Sequence, residues 1–112
     1  MSASHLVVTV LAATAIGLSA VANLIGHDFP KRQADKVRVP HSWLLPLGTL
    51  QAAAALGLLA GFAVPVLGTL AAAGLVLYFV GALVVHLRAG DHHLGYWSVF
   101  FVLSVAALIV NL

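Results

Sequence analysis

Four long apolar stretches alternate with short polar segments or turns along the chain. The stretches cover about residues 4–25, 42–61, 65–87 and 94–112. A helix of about 20 apolar residues crosses a hydrocarbon core about 30 Å thick. The pattern therefore predicts an all-α integral membrane protein, an antiparallel bundle of four transmembrane helices that forms a single membrane domain over residues 1–112.

Residues that favour the start of a helix agree with these bounds. Ser42 is suited to cap the second span, and Pro65 is suited to the first position of the third span. The turn between these two spans, 61–64, is short, so the spans should be antiparallel neighbours. A secretory signal peptide is the alternative for the first stretch, but no Lys or Arg precedes Lys31.

The charged residues are concentrated in two polar segments. Six of the eight lie in 27–41, and the other two are Arg88 and Asp91. All five Lys and Arg thus follow the first or the third span, and the positive-inside rule predicts cytoplasmic polar loops, with both termini outside the cytoplasm, in the plasma membrane. We expect four cations of the first loop to contact lipid phosphates or a partner, with a solvated loop as the alternative: Lys31, Arg32, Lys36 and Arg38.

Composition excludes several classes of protein. The chain is 62% hydrophobic and 7% charged, with a mean hydropathy of +1.12, whereas soluble domains carry about 25% charged residues. The net charge of +2 is too small for a nucleic-acid surface. The absence of cysteine excludes disulfides and thiol chemistry.

Small residues recur at helical spacing in the first three spans, where they predict close helix packing. The three predicted packing faces are Ala13, Gly17 and Ala20; Gly48, Ala52 and Ala55; and Ala71, Gly74 and Gly81.

One polar side chain of each span lies near the membrane midplane: Ser19, Gln51, Tyr78 and Ser104. Gln51 and Tyr78 share their faces with small residues, so we expect both to point inward. Buried polar groups in lipid need partners. Either an interhelical hydrogen-bond belt or the polar rung of a small ligand pocket would provide them.

Five histidines cluster at the predicted cytoplasmic face, together with Asn23 and two aspartates: His27, His41, His86, His92 and His93. Their spacing matches no known metal signature, so no metal site is predicted. Histidine can serve as an acid or base near neutral pH. The candidate catalytic residues are His86, Asp91 and His27.

The candidate ligand pocket combines two midplane residues, Gln51 and Tyr78, with two residues of the cytoplasmic end, Asn23 and Arg88. A quinone or another lipophilic molecule that enters from the membrane would meet this polar end. The alternative is a set of interfacial histidines that bind headgroups and helix ends. A small multidrug transporter is excluded, because the first span lacks the acidic residue that couples such transport to protons.

Three stretches carry a resemblance to a known family: 39–48, 54–61 with Pro65 and Gly68, and 81–91. They resemble the DoxX-like group of small four-span bacterial membrane proteins in three features. These are a glycine entering the second span, a Gly-Leu-Leu run before a proline-headed third span, and a His-Arg-Asp end to it. The group takes its name from membrane subunits of a thiosulfate:quinone oxidoreductase. The resemblance implies the four-span fold and an association with membrane redox complexes, and it assigns no catalytic residue.

The expected function is that of an accessory component in the lipid bilayer. It would dock a cytoplasmic or membrane redox partner and hold a quinone-like or lipid ligand at the histidine-rich end. Two alternatives remain open at this stage. One is a small membrane-embedded enzyme that acts on a lipophilic substrate, and the other is an assembly factor or transporter. Four short helices also leave surface for an oligomer, whose size no residue pattern defines.

Overall fold

A computed structural model describes residues 2–36, 38–90 and 95–112. Within these ranges the chain is helical throughout its regular structure, which confirms the predicted all-α fold. The helices are α1 (Ala3–Leu24), α2 (Asp28–Lys36), α3 (Leu44–Ala60), α4 (Pro65–Arg88) and α5 (Gly95–Asn111), with a 3₁₀ turn at His41–Trp43 before α3.

The four long helices form a ring in which each packs against two neighbours. The pairs are α1 with α3, α3 with α4, α4 with α5, and α5 with α1. Ile16, Leu58 and Leu75 are among the fully buried side chains at its centre. Many leucines and valines point outward and are exposed, as expected for a bundle that has lipid as its solvent.

The lengths of the helices agree with a multi-pass membrane protein. Within the described residues, three segments are long and apolar enough to span a membrane: Ala3–Leu24, His41–Ala60 and Pro65–Arg88. A shorter apolar helix, Trp97–Asn111, completes the ring.

Two residues with a left-handed backbone conformation turn the chain before and after α2, so that α2 lies across one end of the ring. We call this end the α2 end. Gly26 has φ +73 and ends α1, and the His27 N–H donates to the Ala22 carbonyl at 3.0 Å. Arg38, with φ 60, ends α2 in the same way, with Val39 bonded back to Ala34. Both turns have the 6→1 hydrogen bond of a Schellman motif.

At the opposite end α3 and α4 are in close contact through glycines. A Cβ added to Gly61 would lie 2.6 Å from the Cα of Gly68, and one added to Gly57 would lie 2.9 Å from the Cβ of Ala71. Any side chain at position 61 would have to push the two backbones apart. The short turn therefore begins with a contact that only glycine permits.

The predicted packing face of α4 is partly wrong. Gly74 and Gly81 are exposed, and a Cβ on either would meet nothing within 4 Å. The buried residues of α4 are instead Gly68, Ala72, Leu75 and Phe79. Because lipid-facing positions are as apolar as packed ones, glycine spacing alone does not identify the packed face.

The predicted polar belt is also only partly formed by hydrogen bonds between helices. Ser19 donates to Gln51 across α1 and α3 at 3.1 Å. Ser104 is fully buried but donates to the Phe100 carbonyl of its own helix at 2.8 Å. A serine hydroxyl reaches the carbonyl four residues earlier without leaving its helix, so it needs no partner from another span.

Candidate functional site: a cavity beneath α2

A cavity of about 380 Å³ lies at the α2 end of the ring, within the range of about 300–1,000 Å³ that is typical of small-molecule sites. All five helices contribute to its walls. The lining residues are Ser19, Ala22 and Asn23 of α1; Pro30, Gln33 and Ala34 of α2; Leu44, Leu47 and Gln51 of α3; Tyr78, Phe79, Gly81, Ala82, Val85 and His86 of α4; Trp97 of α5; and Val39 and Trp43 before α3.

Gln51 is the most deeply placed polar group of this cavity, with only 4% of its surface exposed. Its side-chain oxygen accepts two hydrogen bonds from α1, from the Asn23 amide at 2.8 Å and from the Ser19 hydroxyl at 3.1 Å. The other polar group of this side chain is an NH₂ group, which can only donate hydrogen bonds.

Gly48 makes this hydrogen bonding between helices possible. A Cβ on Gly48 would lie 2.8 Å from the Cβ of Asn23 and 3.2 Å from the side chain of Leu24. Gly48 lies one turn before Gln51 on the same face of α3. The missing side chain thus lets α1 approach closely enough for Asn23 to reach the Gln51 oxygen.

His86 contributes an imidazole to the α4 wall. Its Nδ1 lies 2.8 Å from the Ala82 carbonyl oxygen. A carbonyl only accepts, so Nδ1 carries a proton. The side chain is half-buried.

Aromatic side chains form the walls around these polar groups. The Trp97 indole N–H donates to the Phe79 carbonyl at 2.6 Å, and its ring stacks on Phe101 with centroids 4.7 Å apart. These two contacts fix the orientation of the indole. Trp43, half-exposed at the 3₁₀ turn, lies on the rim. Both tryptophans of the chain thus line the cavity.

Among the described residues that line the cavity, none is Asp, Glu, Lys or Arg. An anionic or cationic ligand group would therefore lose its hydration without gaining an opposite charge from these residues. A neutral molecule avoids this cost, since flat rings can pack on the aromatic walls and polar atoms can bond to the amides.

The structure brings together four of the residues selected from the sequence. Asn23, Gln51, Tyr78 and His86 all line the cavity. Arg88, the remaining predicted pocket residue, is exposed and is not among the lining residues. The ligand role of all of them stays a prediction.

The predicted acid–base set is not assembled at the cavity by the described residues. His86 lines the cavity, whereas His27 is exposed at the turn before α2 and is not among the lining residues. Asp91 lies outside the described residues, as do His92 and His93. A catalytic role for these residues therefore also stays a prediction.

Sequence reasoning missed part of the site and a second polar cluster. Gln33 follows Pro30 by three residues, a spacing that indicates one helix face, but the charges around it dominate the pattern. The second cluster lies at the opposite end, where Asn111 bonds to His5 at 2.8 Å and to Thr9 at 3.1 Å. Its members are about 100 residues apart in sequence, so no local pattern connects them.

One comparison with known proteins identifies a family for the chain. A family model described as the DoxX-like family matches residues 7–110. No curated protein and no solved structure matches the chain.

Proposed function

The chain belongs to the DoxX-like family and is a multi-pass membrane protein. From this premise we propose that it is an accessory membrane component. It holds a neutral, quinone-like ligand in the cavity beneath α2. The observation that carries the proposal is the uncharged, largely aromatic and aliphatic wall with amide groups at its inner end.

A quinone head fits this wall by its chemistry. The ring is flat and neutral and can pack against Trp43, Tyr78 or Trp97. A quinone carbonyl accepts hydrogen bonds, and the Gln51 NH₂ group donates them. The exposed Gly81 lies on the α4 wall, and the absence of a side chain there leaves room for an isoprenoid tail to pass toward the lipid.

The orientation in the membrane is part of the same proposal. The positive-inside rule supports a cytoplasmic α2 end, and we propose the plasma membrane as the location. A redox partner would then meet the ligand from the cytoplasm. The chain has no cysteine, so single-cysteine variants report on one position each. A membrane-impermeant maleimide should label Ser2→Cys in intact cells and Ser42→Cys only after lysis, and the reverse pattern would refute this orientation.

Tryptophan fluorescence provides a direct binding assay, because both tryptophans line the cavity. A decyl-substituted benzoquinone, added to the purified protein in nanodiscs, should quench this fluorescence in a saturable way. Gly81→Leu should raise the dissociation constant obtained from this quenching about tenfold or more, because the new side chain occupies cavity space. A tenfold change in the dissociation constant corresponds to about 1.4 kcal/mol.

Gly74→Leu is the matched control. Both glycines are exposed on α4, seven residues apart, with nothing within 4 Å of an added Cβ, but only Gly81 lines the cavity. Both variants should therefore fold and melt like the wild type, and Gly74→Leu should bind the quinone normally. Equal quenching in the two variants, or quenching that never saturates, would refute quinone binding in this cavity.

A further inference from the structure

Helix α2 separates two kinds of residue on two faces. Pro30 and Ala34, one turn apart, are buried, and Gln33 lines the cavity. Arg32 and Lys36, also one turn apart, are exposed. The inner face is thus used by the protein itself, while the outer face presents cations.

The outer cations have no carboxylate partner within residues 2–36, 38–90 and 95–112. The Oδ1 atom of Asp35 lies 2.7 Å from Nε2 of His41. Among the residues that the structure describes, no ion pair engages Arg32, Lys36 or Arg38. The outer face of α2 therefore keeps its positive charge.

Arg38 occupies a backbone position that favours glycine. Its φ of 60 is the left-handed conformation that ends α2, and non-glycine residues adopt it at a conformational cost. Glycine would make the same turn without strain, as Gly26 does at the end of α1. Arg38 is exposed and follows Lys36 by two residues, so it adds a third exposed cation to this part of the chain.

The depth of these cations is indicated by Trp43, which is 50% exposed five residues after Arg38. Exposed tryptophans at the ends of transmembrane helices lie at the level of the lipid headgroups. The outer face of α2 is then close to the lipid phosphates, which carry the complementary charge.

We propose that Arg32, Lys36 and Arg38 form a binding surface for the phosphate groups of anionic phospholipids, and that bound lipid holds α2 across the cavity. Because Pro30, Gln33 and Ala34 belong to the same short helix, the lipid on the outer face stabilises the inner wall. This surface is separate from the ligand cavity and does not depend on what the cavity binds.

The test is lipid retention measured by native mass spectrometry. The full chain is extracted from vesicles that contain equal amounts of phosphatidylglycerol and phosphatidylcholine. The wild type should retain mainly phosphatidylglycerol, and the variant Arg32→Gln/Lys36→Gln/Arg38→Gln should lose this preference about fivefold or more. High salt should reduce the preference of the wild type, since it screens exposed charges.

Two further variants separate charge from structure. Arg38→Gly removes the cation and the backbone strain together, so it should lower the lipid preference and raise the melting temperature in detergent. Arg88→Gln removes an exposed cation of α4 instead and should have a smaller effect. An equal loss in Arg88→Gln would overturn the assignment to α2.

A second readout follows the position of α2. Its backbone amides should exchange hydrogen more slowly in nanodiscs that contain phosphatidylglycerol than in nanodiscs of phosphatidylcholine alone. An unchanged lipid ratio in the triple variant, or a preference that salt does not affect, would overturn the proposal. The basic face would then be assigned to binding an acidic protein surface.

Discussion

The two ends of the bundle contain similar side chains but arrange them differently. At the α2 end, Asn23 and Gln51 form an amide pair at the edge of a cavity. At the opposite end, the Asn111 amide bonds to His5, Thr9 and the Ala107 carbonyl. One end has room for a ligand, whereas the other satisfies its polar groups with its own chain.

Backbone spacing explains this difference. At the opposite end, the Gly61–Gly68 contact brings α3 and α4 together, and the Thr69 hydroxyl donates to the Asn111 carbonyl at 2.6 Å to join α4 to α5. At the α2 end, the bulky Leu44 and Tyr78 stand where the walls of the cavity form. Glycines bring α3 and α4 together at one end, whereas Leu44 and Tyr78 of the same two helices line the cavity at the α2 end.

The largest change in stability is expected from Gly61→Val. Its side chain would meet the Gly68 backbone at distances below 3 Å, and such overpacking costs about 3 kcal/mol. Unfolding in mixed micelles should show this loss. Gly74→Val, on the exposed face of the same hairpin, should stay within about 0.5 kcal/mol of the wild type. Similar stability of the two variants would mean that the glycine contact does not close this end.

Asn111→Leu should have the next largest effect. It removes the bond between His5 and the Asn111 oxygen and the bond to Thr9, whose side chain is fully buried. Interhelical hydrogen bonds in membranes contribute about 0.6 kcal/mol each on average, so the loss of both should cost about 1–2 kcal/mol in the same unfolding assay.

Thr49→Val controls for the loss of a polar group. Thr49 is exposed, and its hydroxyl bonds to Leu45 of its own helix, so replacement should leave stability almost unchanged. If Asn111→Leu is as stable as Thr49→Val, the polar cluster does not hold the closed end together.

Gln51→Leu should change stability least and binding most clearly. Two hydrogen bonds to α1 are lost, but the leucine packs against an apolar wall, so the net effect should stay within about 1 kcal/mol. The quinone should bind about tenfold more weakly, since the donor is gone. Thr49→Val, two residues earlier, is the control, and the quinone should quench its tryptophan fluorescence as in the wild type. A Gln51→Leu protein with wild-type quenching would exclude Gln51 as the donor.

The sequence predicted the helices well because apolar length and end signals are local. Pro65 begins α4 as predicted, whereas Ser42, the predicted cap of the second span, lies within the 3₁₀ turn before α3. The packed faces were harder to predict, because the apolar character of α4 is nearly uniform around its axis, and Gly74 and Gly81 therefore resembled a contact stripe.

The site was predictable only as a set of residues near one end. Polar residues in apolar spans stand out, which is why Gln51 and His86 were selected. The bond that orients Gln51 depends on the close approach of α1 and α3 at Gly48, and the wall at Trp97 depends on a bond to α4. Such contacts arise from helix crossing geometry, which one sequence does not reveal.

The Gly61–Gly68 contact holds α3 and α4 together at one end of their hairpin. The contact lies 17 residues from Leu44, or about 25 Å along α3 at about 1.5 Å per residue. Each degree of change in the angle between the helices then moves the wall of the cavity by about 0.4 Å. The width of the cavity therefore depends on the angle between α3 and α4, although the contact that joins these helices lies at the opposite end of the bundle.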